Sequence, residues 1–160
     1  MEPRPLSSRY GLAIRAANAG DADGISALMR SAGLSVDRGG LAARLEEIPA
    51  RSGLVLLAEE WGPPSGLLAL HWHWTVLDEL KVAEATLLVV DPEQRRKGVA
   101  RLLLKAAARA ARSAGCGDLR LRAPGPSADL GAFCLATGFE RIGETFARPL
   151  RKHSHTDRAG

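Results

Sequence analysis

Aromatic residues are scarce, at 4% of the 160 residues, and Tyr10 is the single tyrosine. A surface that stacks exposed bases has little to build from. Charge does not replace stacking: of the net +4, half comes from the last ten residues, where Arg151, Lys152 and Arg158 face Asp157. The rest is too mildly basic to argue for nucleic acid, which is not expected as a partner. The two cysteines, Cys116 and Cys134, make neither a disulfide framework nor a metal-ligand spacing, which fits a reducing cytoplasm. No apolar run approaches a membrane span, and the opening MEPRPLSSRYGLAIRAANAG lacks the continuous hydrophobic stretch of a signal peptide. What is present is 46% hydrophobic and 25% charged residues, enough apolar material for one globular core. The expected organisation is a loose N-terminus over 1–9, one domain over 10–150 and a loose tail over 151–160.

Strand and helix signals alternate inside that domain. YGLAIRAA reads as a short strand, and Asn18 to Asp23 supply caps for a helix through Ile25, Leu28 and Met29 that stops at Gly33. Leu41, Leu45 and Ile48 continue a second helical pattern up to Pro49. LVLLAEE and GLLALHWHWTV flank the turn WGPPSG and predict a hairpin. ATLLVV is nearly all apolar, the pattern of a central strand covered on both faces. A helix follows over Ala100 to Ala114, then the strand DLRLRA, a short helix over Ala128 to Thr137 and, in FERIGETFARPL, a terminal strand pair. The order is mixed α/β.

The junction VVDPEQRRKGVARLLLKAAARAARSAGCG carries the strongest chemical signal. A strand that ends at a turn before a helix aims backbone N–H groups and the positive end of a helix dipole at one point, which suits an anion. Gly98 lets that anion approach the backbone, and Arg95, Arg96 and Lys97 add charge around it. Three cations at a helix N-terminus oppose the dipole unless an anion compensates them. The segment has one glycine and matches neither the Walker loop nor the dinucleotide fingerprint. Further along, Arg101, Lys105, Arg109 and Arg112 form a stripe at three- and four-residue spacing opposite Leu103, Leu104, Ala107 and Ala111. That stripe reads as the wet side of the helix, with only Arg101 near enough to the loop to reach a phosphate.

R-x-x-G-x-A, set by Arg95, Gly98 and Ala100 directly after a strand and at the mouth of a long helix, resembles the acyl-CoA pyrophosphate loop of the GNAT-type N-acetyltransferase superfamily. AGCGDLRLRA and ATGFERIG are similar to that family's fifth strand and closing helix-to-strand segment, so the likeness spans residues 10 to 150 in order of elements. The resemblance implies a single-domain α/β fold of the α+β kind, its twisted, mostly antiparallel sheet splayed near the middle and flanked by helices. It implies acetyl-CoA as co-substrate, an amine acceptor and no metal. The backbone of Leu88, Val89 and Val90 would pair with the pantetheine arm; Arg95, Arg96, Lys97, Gly98, Val99, Ala100 and Arg101 would hold the pyrophosphate, and Phe133 would lie beside the cofactor.

For catalysis the resemblance points to Glu84 as the base that takes a proton from the amine, through water; a glutamate at a strand start is also an ordinary solvated residue. The family's usual tyrosine, which protonates the departing thiolate, would stand four residues before Gly138, where this chain has Cys134. Cys134 is either the proton donor or a small apolar filler with water as the acid, and the second is favoured. HWHW places His71 and His73 on one strand face; lining an acceptor pocket is preferred there to a metal site, although HSH at 153–155 repeats the spacing. Asp37, Glu46, Glu47, Asp78 and Glu79 lean toward a cationic small molecule. A protein or peptide acceptor, a non-catalytic acyl-CoA-binding module and a homodimer all stay open.

Overall fold

Gly62, at φ +89°, with Pro63 and Pro64 breaks the apolar run after Glu59, and the chain folds back on itself. In the computed structural model, which describes residues 7–9, 11–123 and 128–151, this makes the expected hairpin of β3 (Gly53–Glu59) and β4 (Gly66–His73), antiparallel from Gly53↔His71 to Ala58↔Gly66. β1 (Ser7–Arg9) and β2 (Leu12–Ala16) extend the sheet on one side, and β5 (Lys81–Val90) and β6 (Cys116–Leu121) on the other, in the order β1-β2-β3-β4-β5-β6. Every pairing is antiparallel except β5 with β6, which is parallel because α3 (Val99–Ser113) carries the chain back between them. Tyr10 and the HSH repeat lie outside the described residues.

Both faces of this sheet are covered. α1 (Ala22–Ser31) and α2 (Arg38–Ala50) bury Ile25, Leu28, Met29, Leu41 and Leu45 against Val55, Leu57, Leu67, Ala69 and Val89. α3 is strongly amphipathic and packs on the opposite face, burying Val99, Leu103, Leu104, Ala107 and Ala111, so the cationic stripe is its solvent side as expected. α1 stops where Gly33, at φ +76°, turns the chain and Leu34 N–H donates back to Met29 C=O.

The chain forms two compact units, Met1–Ser127 and Ala128–Gly160. The second contains α4 (Ala128–Ala136), closed by Gly138 at φ +93° and a hydrogen bond from Phe139 N–H to Cys134 C=O. Two expectations need correction. β5 is second from the edge of the sheet, and the centre belongs to β3 and β4, whose Leu56, Leu68 and Leu70 are fully buried. The segment after Phe139 forms no strand: Gly143 at φ +58° interrupts it, Pro149 lacks an N–H, and Ile142, Phe146 and Leu150 are exposed.

Candidate active site

The site begins with an irregularity in β5. Ala69 stands opposite Leu87 but Leu70 opposite Ala85, so Thr86 is an extra residue that bulges the strand. Pairing with β6 stops at the same place, with Ala85↔Leu121 the last register pair and Arg122 N–H donating to Ala85 C=O at 2.9 Å. Beyond Ala85 the two parallel strands part. Asp91 N–H donates to Ser65 C=O, which makes that an inward-bonding position, and strand alternation then turns the peptide groups of Val89 toward β4. Those of Leu88 and Val90 face the edge that β6 has left. Of the three residues expected to pair with a pantetheine arm, these two carry the available groups.

That open edge leads directly into the cationic loop. Asp91 caps a short 3-10 turn over Pro92–Gln94, accepting from Glu93 N–H, and Lys97 Nζ donates to Gln94 Oε1 at 3.1 Å. Arg96 at φ +65° and Gly98 at φ +79° then turn the chain sharply into α3, and Arg95, Arg96, Lys97 and Gly98 are all exposed. Gly98 is the N-cap and has no side chain to cap the first turn, so the N–H groups of Val99 and Ala100 stand at the positive end of the dipole without a side-chain acceptor. A Cβ placed on Gly98 would meet nothing within 4 Å, so no protein packing demands a glycine there; the positive φ and access from outside do. Val99 contributes its backbone only, since its side chain is buried against Gly66, and Arg101 is exposed in the first turn.

Glu84 lies on β5 just before the bulge. Register places His71 of β4 on one side of it and Arg120 of β6 on the other, all on one face. Its side chain is only 22% exposed, and its carboxylate is held by Arg122, whose Nε donates to Oε1 at 2.8 Å and whose Nη2 lies 2.7 Å from the same oxygen. Arg120 Nη2 pairs with Asp78 and Asp118, while its Nε is the one buried side-chain donor without a partner among the described residues. Arg122 has no part in the sequence reading. Its contact depends on the register of two strands separated by a whole helix, which no local pattern encodes.

His71 and His73 share the face of Glu84, and among the described residues no group of three His, Cys, Asp or Glu could hold a metal. Phe133 and Cys134 sit in the second unit on α4, both half-buried, and burial pushes the Cys134 thiol up. Three of the acidic residues read as acceptor contacts are already engaged: Asp37 with Arg44, Glu47 with Arg51 and Asp78 with Arg120. Among the described residues no helix is long and apolar enough to cross a membrane.

No curated protein matches this sequence. Solved structures match its fold throughout. The aminoglycoside N-acetyltransferase AAC(6')-Iy in complex with CoA superposes with a TM-score of 0.76 at 21% identity, over 95% of this chain and 100% of that one. The glucosamine-6-phosphate N-acetyltransferase of Arabidopsis thaliana gives 0.74 at 19% identity, over 88% and 99%. A ribosomal-protein-alanine N-acetyltransferase from Brucella melitensis gives 0.72 at 18%, over 88% and 100%. The family model for the acetyltransferase (GNAT) family matches residues 27–129, which include the hairpin, the bulged strand, the cationic loop and α3. A strand that parts from its neighbour beside an uncapped, glycine-started helix is therefore met here in a chain that belongs to the acetyltransferase (GNAT) family.

Proposed function

We propose that the chain transfers an acetyl group from acetyl-CoA directly to a primary amine of a small molecule. The observation that carries this is the continuity of three features: the open edge at Leu88 and Val90, the cationic loop from Arg95 to Lys97, and the Gly98 entry into α3. A pyrophosphate fits the last two, because N–H groups and the helix dipole favour an anion and Gly98 leaves its path open. An amide-bearing arm fits the first, since unpaired strand groups bond amides as a neighbouring strand would. Laid along the edge from Val90 toward Thr86, such an arm brings its thioester end to the bulge next to Glu84.

The chemistry is then simple to balance. An ammonium has no lone pair, so its proton passes to Glu84, directly or through one water. The neutral nitrogen attacks the thioester carbonyl carbon, the C–N bond forms, and the C–S bond breaks with its electron pair on sulfur. CoA thiolate takes a proton from water or from Cys134, and the amide nitrogen loses its second proton to solvent. No covalent enzyme intermediate is required. Aminoglycoside and amino-sugar acetyltransferases among the structural neighbours support a small acceptor, and the ribosomal-protein enzyme among them supports a peptide one.

Thiol release in the presence of acetyl-CoA, measured across aminoglycosides, amino sugars, polyamines, amino acids and peptides, tests the reading. Turnover with a small amine is expected. Activity confined to peptides contradicts the acceptor class, and thermal stabilisation by acetyl-CoA without turnover on any amine leaves a binding module instead of an enzyme.

A further inference from the structure

We infer that Arg122 is a positioning residue for Glu84, fixing one carboxylate oxygen so that the other is left to receive the acceptor's proton. The proposal rests on Glu84 as the base in the reading above. Three features of the geometry support it. First, both guanidinium contacts fall on Oε1, from Nε at 2.8 Å and Nη2 at 2.7 Å, whereas a guanidinium fork usually spans both oxygens of a carboxylate. With both of these contacts on Oε1, the lone pairs of Oε2 are left for another donor. Second, Arg122 is not held by its side chain alone: its N–H closes the last rung between β6 and β5 at Ala85 C=O, so its backbone is anchored at the point where the strands part. The clamp is built into the splay. Third, a glutamate side chain that is 22% exposed has limited room to sample rotamers, and an arginine pinned from the neighbouring strand restricts it further.

The other charged and titratable groups on this face do not substitute for Arg122. Arg120 lies beside Glu84 in register but is committed to Asp78 and Asp118, and His71 faces Glu84 from β4. A structural salt bridge would contribute to folding regardless of whether Glu84 acts on a proton. A positioning residue affects the chemical step and only in the presence of its glutamate.

A double-mutant cycle separates the two. Arg122→Gln, Arg122→Lys, Glu84→Gln and Glu84→Gln/Arg122→Gln are measured in the full chain for kcat at saturating amine, for acetyl-CoA Kd by calorimetry, and for thermal midpoint. Arg122→Gln is expected to lower kcat by about tenfold or more with Kd within about twofold, because only the base is displaced. Arg122→Lys, which keeps one donor, is expected to recover at least part of that loss. In the Glu84→Gln background, Arg122→Gln should cost nothing further, since residues that act as a unit are not additive. If Glu84→Gln lowers kcat but Arg122→Gln does not, the clamp is wrong and the base assignment stands. An Arg122→Gln loss that persists in full without Glu84 also overturns the clamp. Should Glu84→Gln leave kcat unchanged, the base assignment falls and the clamp with it. Because the Arg122 backbone hydrogen bond survives every substitution, folding is checked independently by the thermal midpoint of Arg122→Lys.

Discussion

At the scale of single residues, the proton inventory assigns different weights to Glu84 and Cys134. A thiolate is a good leaving group and needs little acid help, while an ammonium cannot attack at all until it loses a proton. Cys134→Ala is therefore expected to lower kcat by less than about tenfold, under ~1.4 kcal/mol of barrier, and Glu84→Gln to cost more. Steady-state kinetics with the best amine from the panel decides it, and a hundredfold loss in Cys134→Ala with acetyl-CoA affinity intact would make the cysteine the general acid. A second residue-scale prediction concerns Asp21. Its carboxylate receives Arg15 Nη1 at 2.9 Å and Nη2 at 2.7 Å, and the same guanidinium donates to Glu59 across β2 and β3. The Arg15 hydrogen bonds hold the Asp21 carboxyl below the ordinary carboxylate range. A group depressed in the folded state stabilises above its unfolded pKa, near 3.9, and loses that contribution as pH falls through the lower folded value. Asp21→Asn should thus lower stability by about 2 kcal/mol at neutral pH, measured by urea denaturation, with the gap to the native chain closing in acid. A gap independent of pH would show that the charge on Asp21 is not what the fold uses.

Between elements, the decisive contact is where α3 meets the hairpin. A Cβ on Gly66 would come within 2.7 Å of Val99 Cγ1 and 3.0 Å of Leu103 Cδ1, so β4 needs a glycine for the first turn of α3 to settle on it. Val99 directly follows the Gly98 cap, and displacing it moves the loop. Gly66→Ala is expected to destabilise by about 1–3 kcal/mol and to weaken acetyl-CoA binding as well, read by thermal shift with and without ligand. Loss of stability with undiminished ligand-induced stabilisation would show that the loop is positioned independently of this packing. Elements are also where sequence and structure part company. The R-x-x-G-x-A junction was legible because its signals are local: turn, cations, glycine and amphipathic helix occupy consecutive residues. The hairpin was legible through Gly62, Pro63 and Pro64 for the same reason. Long-range partners were not. Arg122 reaches Glu84, and Arg120 reaches Asp78, across intervening elements. Three of the five carboxylates read as acceptor contacts, Asp37, Glu47 and Asp78, are ion-paired within the chain. FERIGETFARPL has strand composition, but a strand requires a ladder partner, and its glycine at φ +58° and its proline work against one.

For the molecule as a whole, sheet, bulge and crossover helix converge where the open edge of β5 runs on into the cationic loop and the start of α3. Leu88 and Val90 lie on the open edge because β6 leaves β5 at Ala85, and Gly98 is open to its surroundings, with nothing within 4 Å of where a Cβ would stand. The central claim is that acetyl-CoA lies along that line with its pyrophosphate at Gly98. Calorimetric titration of acetyl-CoA into the native chain, Gly98→Ala and Gly98→Glu tests it most directly. Alanine shares the strain of φ +79°, about 1–2 kcal/mol, without added charge. Glutamate adds bulk and a negative charge where the pyrophosphate must lie. The account predicts binding to the native chain, a loss of about tenfold in Gly98→Ala, and a loss of at least about a hundredfold in Gly98→Glu with the fold retained. Equal affinity of native and Gly98→Glu proteins would contradict it.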